Sequence, residues 1–182
     1  TCERKIKIFS SHQPGGLMNR LMGQNLMRKD GREHRAERDV IYPTANRDTV
    51  ADTWRDRFQA DADRLLDAIA VKGHGDLVKD FALPLSGEAL KAITGLENIT
   101  FGEMDAWSQA MMDGIANYAG DPEIEARCHG ATAKIDAAID EMAPRLKAAP
   151  NMSMLSMILR SDLPMESLRA NIKLAISGGQ NE

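Results

Sequence analysis

Apolar residues recur at steps of three and four along most of this chain, a period that a helix satisfies and a strand does not. Between 48 and 70 the stripe is Val50, Trp54, Phe58, Ala62, Leu65, Leu66 and Ile69, which predicts an amphipathic helix with that face inward. Gly73-His74-Gly75 interrupts the pattern, and Asp76–Phe81 extends it briefly. Leu85, Ala89, Leu90, Ile93 and Leu96 predict a shorter helix closed by Gly95. From Thr100 a further helix carries Met104, Trp107, Met111 and Ile115 and ends near Gly120.

Asp121-Pro122 is an N-cap followed by proline at the first helical position. It opens a long helix with Ile124, Cys128, Ala131, Ile135, Ala138, Met142 and Leu146 inward, stopped by Ala149-Pro150. Asn151 is placed to cap a short helix through Leu159, and Asp162 and Pro164 open a last one bearing Leu168, Ile172, Ala175, Ile176 and Gly179 inward. Composition agrees with an all-helical chain: aromatics are 4% of the residues, while methionine occurs 11 times. Those methionines fill a core or line an adaptable apolar pocket. Residues 10–27 break the period, with Pro14, Gly15, Gly16, Asn19, Gly23 and Asn25 marking a long loop. Its Leu17, Met18, Leu21, Met22, Leu26 and Met27 suit a loop folded over an apolar pocket.

The net charge of −4 argues against bulk attraction to nucleic acid or anionic lipid. Charge is nevertheless uneven, since residues 1–38 hold nine Lys/Arg and four Asp/Glu. That local excess suits an anionic cofactor, an acidic partner or a solvated surface. Cys2 and Cys128 stand far apart with no metal-type spacing, so neither a disulfide framework nor a metal site is expected. No run of 18 apolar residues occurs, and a cytoplasmic protein with no membrane partner is the expectation. Thr1 and Glu182 both read as internal positions of a longer chain.

Two groups of residues carry possible chemistry. In Asp30-Gly31-Arg32-Glu33-His34-Arg35-Ala36-Glu37-Arg38, His34 and Arg38 share one helix face a turn apart. Two such donors grip carboxylates; alternatively the segment is a surface helix laced with charge pairs. In Ser177-Gly178-Gly179-Gln180-Asn181-Glu182, each glycine within a helix costs roughly 1 kcal/mol relative to alanine. Either close packing or something lying against the bare backbone offsets that cost, or the helix ends there.

These groups, in this order, resemble the cytochrome P-450 family, and the resemblance covers essentially the whole chain. Glu3–Ser11 resembles the family's helix B with its Phe-Ser-Ser, and 12–27 the variable B–C loop. The Gly-x-x-His pattern followed four residues later by Arg resembles helix C. The later helices fall in the family's order: D at about 48–70, E at 83–95, F at 101–118, G at 121–148 and H at 151–160. Residues 164–182 resemble the first half of helix I, whose motif is usually Ala/Gly-Gly-x-Asp/Glu-Thr. Here Asn181 stands where an acid is usual and Glu182 where threonine is usual, a Gly-Gly-x-Asn-Glu variant that resembles a bacterial minority.

The resemblance implies a mainly α, partial cytochrome P-450 fold from helix B to mid helix I, forming a single partial domain over 1–182. It implies haem b, with His34 and Arg38 on its propionates and the iron-ligating cysteine expected outside this chain. Gly178 and Gly179 would leave room for dioxygen, and Asn181 and Glu182 would take catalytic roles, Glu182 in proton delivery. Met111, Ile115, Leu174, Ser177 and Gly178 would wall the pocket of a small apolar or aromatic substrate. Electrons would come from a ferredoxin or flavin reductase partner or a fused reductase. The chain as it stands, without the proximal half, would be inactive alone. Two other readings remain open: a non-enzymatic helical scaffold or sensor, and a peroxide-driven enzyme of the same fold.

Overall fold

A computed structural model describes residue 5 and residues 8–179 of the chain; Cys2, Gln180, Asn181 and Glu182 lie outside the described residues. Among the described residues there is no strand. The helices are α1 (Leu17–Met22), α2 (Gly31–Ile41), α3 (Arg47–Thr49), α4 (Arg55–Lys72), α5 (Leu83–Thr94), α6 (Phe101–Ile115), α7 (Pro122–Ala148), α8 (Met154–Leu159) and α9 (Met165–Gly179).

Local signals start most of these helices as expected. Thr100 and Glu103 form a reciprocal capping box on α6, and those hydrogen bonds hold the Glu103 carboxyl below the usual range. Asp121 accepts the Glu123 amide at the start of α7, with Pro122 in the first position. Glycines in the left-handed region, Gly73 at φ 72° and Gly95 at φ 90°, close α4 and α5.

The core lies where α6, α7 and α9 meet. Met104, Met111, Ile135, Ile139, Ile172 and Ile176 are fully enclosed there. Of the inward set expected on α7, all but the half-buried Ile124 are buried. Gly114 of α6 lets α7 approach closely, because a Cβ at that position would sit 2.6 Å from Cys128 Sγ and 3.1 Å from Leu21. A hydrogen bond of 3.0 Å from the Ser108 hydroxyl to the Ile176 carbonyl ties α6 to α9.

Four expectations need correction. Residues 10–27 are not all loop: Leu17–Met22 form a short helix, docked by the buried Leu21 and Met22. The 48–70 helix begins with an α-turn and a π-turn (Val50–Trp54), and its face is only partly covered. Trp54 is buried with its indole N–H on the Thr44 carbonyl (2.7 Å), yet α4 itself buries no residue and Val50 and Leu66 are exposed. Helix α6 stops at Ile115, five residues before Gly120, where the Asn117 side chain braces Asp121 at both its amide and its carbonyl. The cap of α8 is Ser153, not Asn151, whose side chain instead accepts from the Ser153 amide.

Candidate functional site

The charged segment after residue 29 becomes α2, entered through extended Asp30 and Gly31 at φ 54°. The Asp30 carboxylate accepts the Ser10 hydroxyl, and that hydrogen bond holds its pKa below the usual range. His34 and Arg38 lie one turn apart on α2, His34 half-buried and Arg38 exposed. The Arg38 guanidinium stands 5.5 Å from the Tyr42 ring centroid. Neither residue has an acid partner among the described residues.

Glu37, between them in sequence, is turned inward and is 3% exposed. It pairs with Lys29, whose ammonium also reaches the Ser167 hydroxyl at 3.0 Å. The Asn171 amide donates to Glu37 at 2.9 Å and to the Ser167 carbonyl at 2.9 Å, while its oxygen accepts the Leu26 amide at 2.9 Å. One buried polar cluster therefore joins the 25–29 turn, α2 and α9. The place of Glu37 in a run of charges suggests a surface residue, and the structure buries it.

This cluster fixes which face of α9 looks toward α2. Gly178 lies seven residues beyond Asn171, two helical turns and ~10 Å along the same face. A Cβ at Gly178 would meet nothing within 4 Å, so the backbone there faces open space. Gly179 differs, since its Cβ would lie 3.0 Å from Leu90, and its glycine serves the packing of α9 on α5.

The residues expected to line a pocket are placed unequally. Met111 is wholly enclosed in the core, and Ser177 is buried with its hydroxyl on the Leu174 carbonyl at 3.1 Å. Leu174 is half-buried. Ile115 lines a cleft of about 300 Å³ where α1 passes the end of α6, together with Leu17, Met18 and Met112. Gln13 and Arg28 bring polar groups to the same cleft. The Cys128 thiol is buried in α7, and that burial pushes its pKa up. Asn181 and Glu182 lie outside the described residues.

No family model matches the chain. Cytochrome P450 107B1 of Saccharopolyspora erythraea is 23% identical over 142 residues, 77% of this chain and 32% of that protein. Among solved structures, CalO2 superposes with a TM-score of 0.79 over 91% of this chain and 42% of its own, at 20% identity. P450BioI, in complex with hexadec-9Z-enoic acid ligated acyl carrier protein, gives 0.77 over 90% and 43%, at 19% identity. This chain has the cytochrome P450 fold. Myxobacterial cytochrome P450 CYP267B1, in complex with myristic acid, matches at 0.75 over 88% of this chain and 40% of its own, at 22% identity. The chain thus spans about a third of the curated relative and about two fifths of these structures. The order of α2, α4, α5, α6, α7, α8 and α9 along the chain is the order expected of helices C to I. Among the described residues no helix is long and apolar enough to cross a membrane, and no group of three His, Cys, Asp or Glu side chains is arranged to hold a metal ion.

Proposed function

We propose that the protein is a haem-dependent monooxygenase that inserts one oxygen atom from dioxygen into a small apolar or aromatic substrate. The observation that carries this reading is that, within a P450 fold, two donors without acid partners among the described residues share one stretch of α2, while α9, which α2 meets through Glu37 and Asn171, has open backbone two turns further on at Gly178. His34 and Arg38 would hold the propionates of haem b, which suits half-buried and exposed donors left without carboxylate partners. Haem, when bound, supplies the activation of dioxygen. Gly178 keeps side chains out of the space beside α9, and Ile115 with Leu174 supplies apolar wall for the substrate. Proton delivery is assigned to the Glu182 carboxyl, with Asn181 and Gly179 as the other catalytic positions of the motif. No iron ligand is assigned within this chain, and the electron donor is a ferredoxin or flavin reductase, separate or fused.

The test is the absorption spectrum of the intact protein, reduced and exposed to carbon monoxide. A thiolate-type Soret shift is expected. His34→Ala and Arg38→Ala should each weaken haem retention by roughly 10- to 100-fold, the scale of one charged hydrogen bond. A folded, haem-supplied preparation with no haem spectrum would overturn the proposal in favour of a helical scaffold.

A further inference from the structure

Five lysines and arginines among the described residues are buried or half-buried: Arg28, Lys29, Lys91, Arg169 and Lys173. Four of them have acids. Lys29 pairs with Glu37, Lys91 with Glu88 at 2.9 Å, Arg169 with Asp140 at 2.6 Å, and Lys173 with Asp136 at 2.8 Å. Arg28 has none. Its Nε reaches only the Met18 sulfur at 3.4 Å, and one terminal nitrogen reaches the Ser11 carbonyl at 3.5 Å. A guanidinium drawn partly out of water with two long, neutral contacts lacks the compensation that a partly buried charge ordinarily has.

That unpaired charge borders the cleft between α1 and the end of α6. Most of the remaining wall is apolar and adaptable, formed by Leu17, Met18, Met112 and Ile115, with the Gln13 amide and the Tyr118 phenol as further polar groups. At about 300 Å³ the cleft is at the small end of ligand sites. We infer that it binds a carboxylate-bearing apolar molecule of modest size, with the carboxylate on Arg28 and the hydrocarbon along Leu17, Met18 and Ile115. A carboxylate matches the planar fork of the guanidinium, and an uncharged ligand of the same length leaves the charge unpaired. Taken as the substrate class of the monooxygenase, this rests on the function proposed above; taken as a binding site, it does not.

Titration calorimetry of the intact protein with decanoate and with 1-decanol, both below their aggregation limits and at pH 8, tests it. Decanoate is expected to bind the unaltered protein more tightly than decanol. Arg28→Leu should weaken decanoate by about tenfold or more and leave decanol within about twofold, with Arg28→Lys intermediate. Equal affinity for acid and alcohol, decanoate binding unmoved by Arg28→Leu, or no binding of either to the folded protein would each overturn the inference. The acid-against-alcohol comparison decides on the unaltered protein alone if Arg28→Leu does not fold. The carbon monoxide spectrum of the same preparation reports separately on the monooxygenase: an acid site without a haem spectrum sinks that reading and leaves this one standing.

Discussion

Glu37 sits in a run of exposed charges and is itself almost wholly enclosed. Nothing in the Arg-Ala-Glu-Arg-Asp spacing marks it out, because its partner Lys29 lies eight residues back, across a turn, and Asn171 lies on α9. His34 and Arg38 were legible at the sequence level because their relation is a helical one; the Glu37 cluster was not, because it forms only when three segments meet. Removing one member of a buried ion pair strands the other, whereas replacing both with apolar groups can be neutral. Glu37→Ala should therefore cost about 3–5 kcal/mol of unfolding free energy, and Glu37→Gln, whose single carbonyl oxygen can still accept from Lys29 or Asn171 but not both, less. The double change Lys29→Met with Glu37→Leu should recover most of the loss. Urea unfolding of the intact protein at pH 7 measures all three; equal stability of Glu37→Ala and the unaltered protein would mean that the cluster contributes nothing.

For whole elements, the helical period told which residues share a face but not what lies opposite. On α7 the stripe from Cys128 to Leu146 is buried because α6, α8 and α9 cover it. On α4 a stripe of equal regularity buries nothing beyond Trp54 at its π-turn entrance, because among the described residues less of the molecule lies against it. Helix α1 shows the converse: its glycine- and asparagine-rich surroundings read as loop, and six residues are too few to hold a helix unaided, so docking of Leu21 and Met22 stabilises it. The α6–α7 contact makes a sharp prediction. Gly114→Ala would press a methyl group toward the Cys128 sulfur, and overpacking of this kind costs about 1–3 kcal/mol. Combining it with Cys128→Gly removes both that sulfur and the Cβ that would lie 2.8 Å away, so the two losses should sum to more than the double variant shows. Strict additivity in thermal or urea unfolding would mean that the helices part without strain.

Across the whole molecule, α9 works on two unlike sides. Toward α6 and α7 it presents Leu168, Ile172 and Ile176, each at most 1% exposed, to a continuous apolar core. Toward the 25–29 turn and α2 it presents Ser167 and Asn171, and two turns beyond Asn171 its backbone is open at Gly178. Helix α2 has no fully buried apolar side chain, only the half-buried Val40 and Ile41, so its docking depends on polar contacts. A haem gripped by His34 and Arg38 would then lend α2 a large share of its stability, while α6 and α7 hold through their own packing. Removing the haem should raise amide exchange across 31–41 far more than across 122–148. A ligand present at a thousandfold its dissociation constant contributes about 4 kcal/mol, so α2 amides would exchange up to ~1,000-fold faster in the haem-free protein. Hydrogen exchange read by mass spectrometry on the intact protein, with and without haem, makes the comparison. A uniform change in α2 and α7 would show that haem stabilises the molecule globally, and an unchanged α2 would remove the helix, with His34 and Arg38, from the haem site.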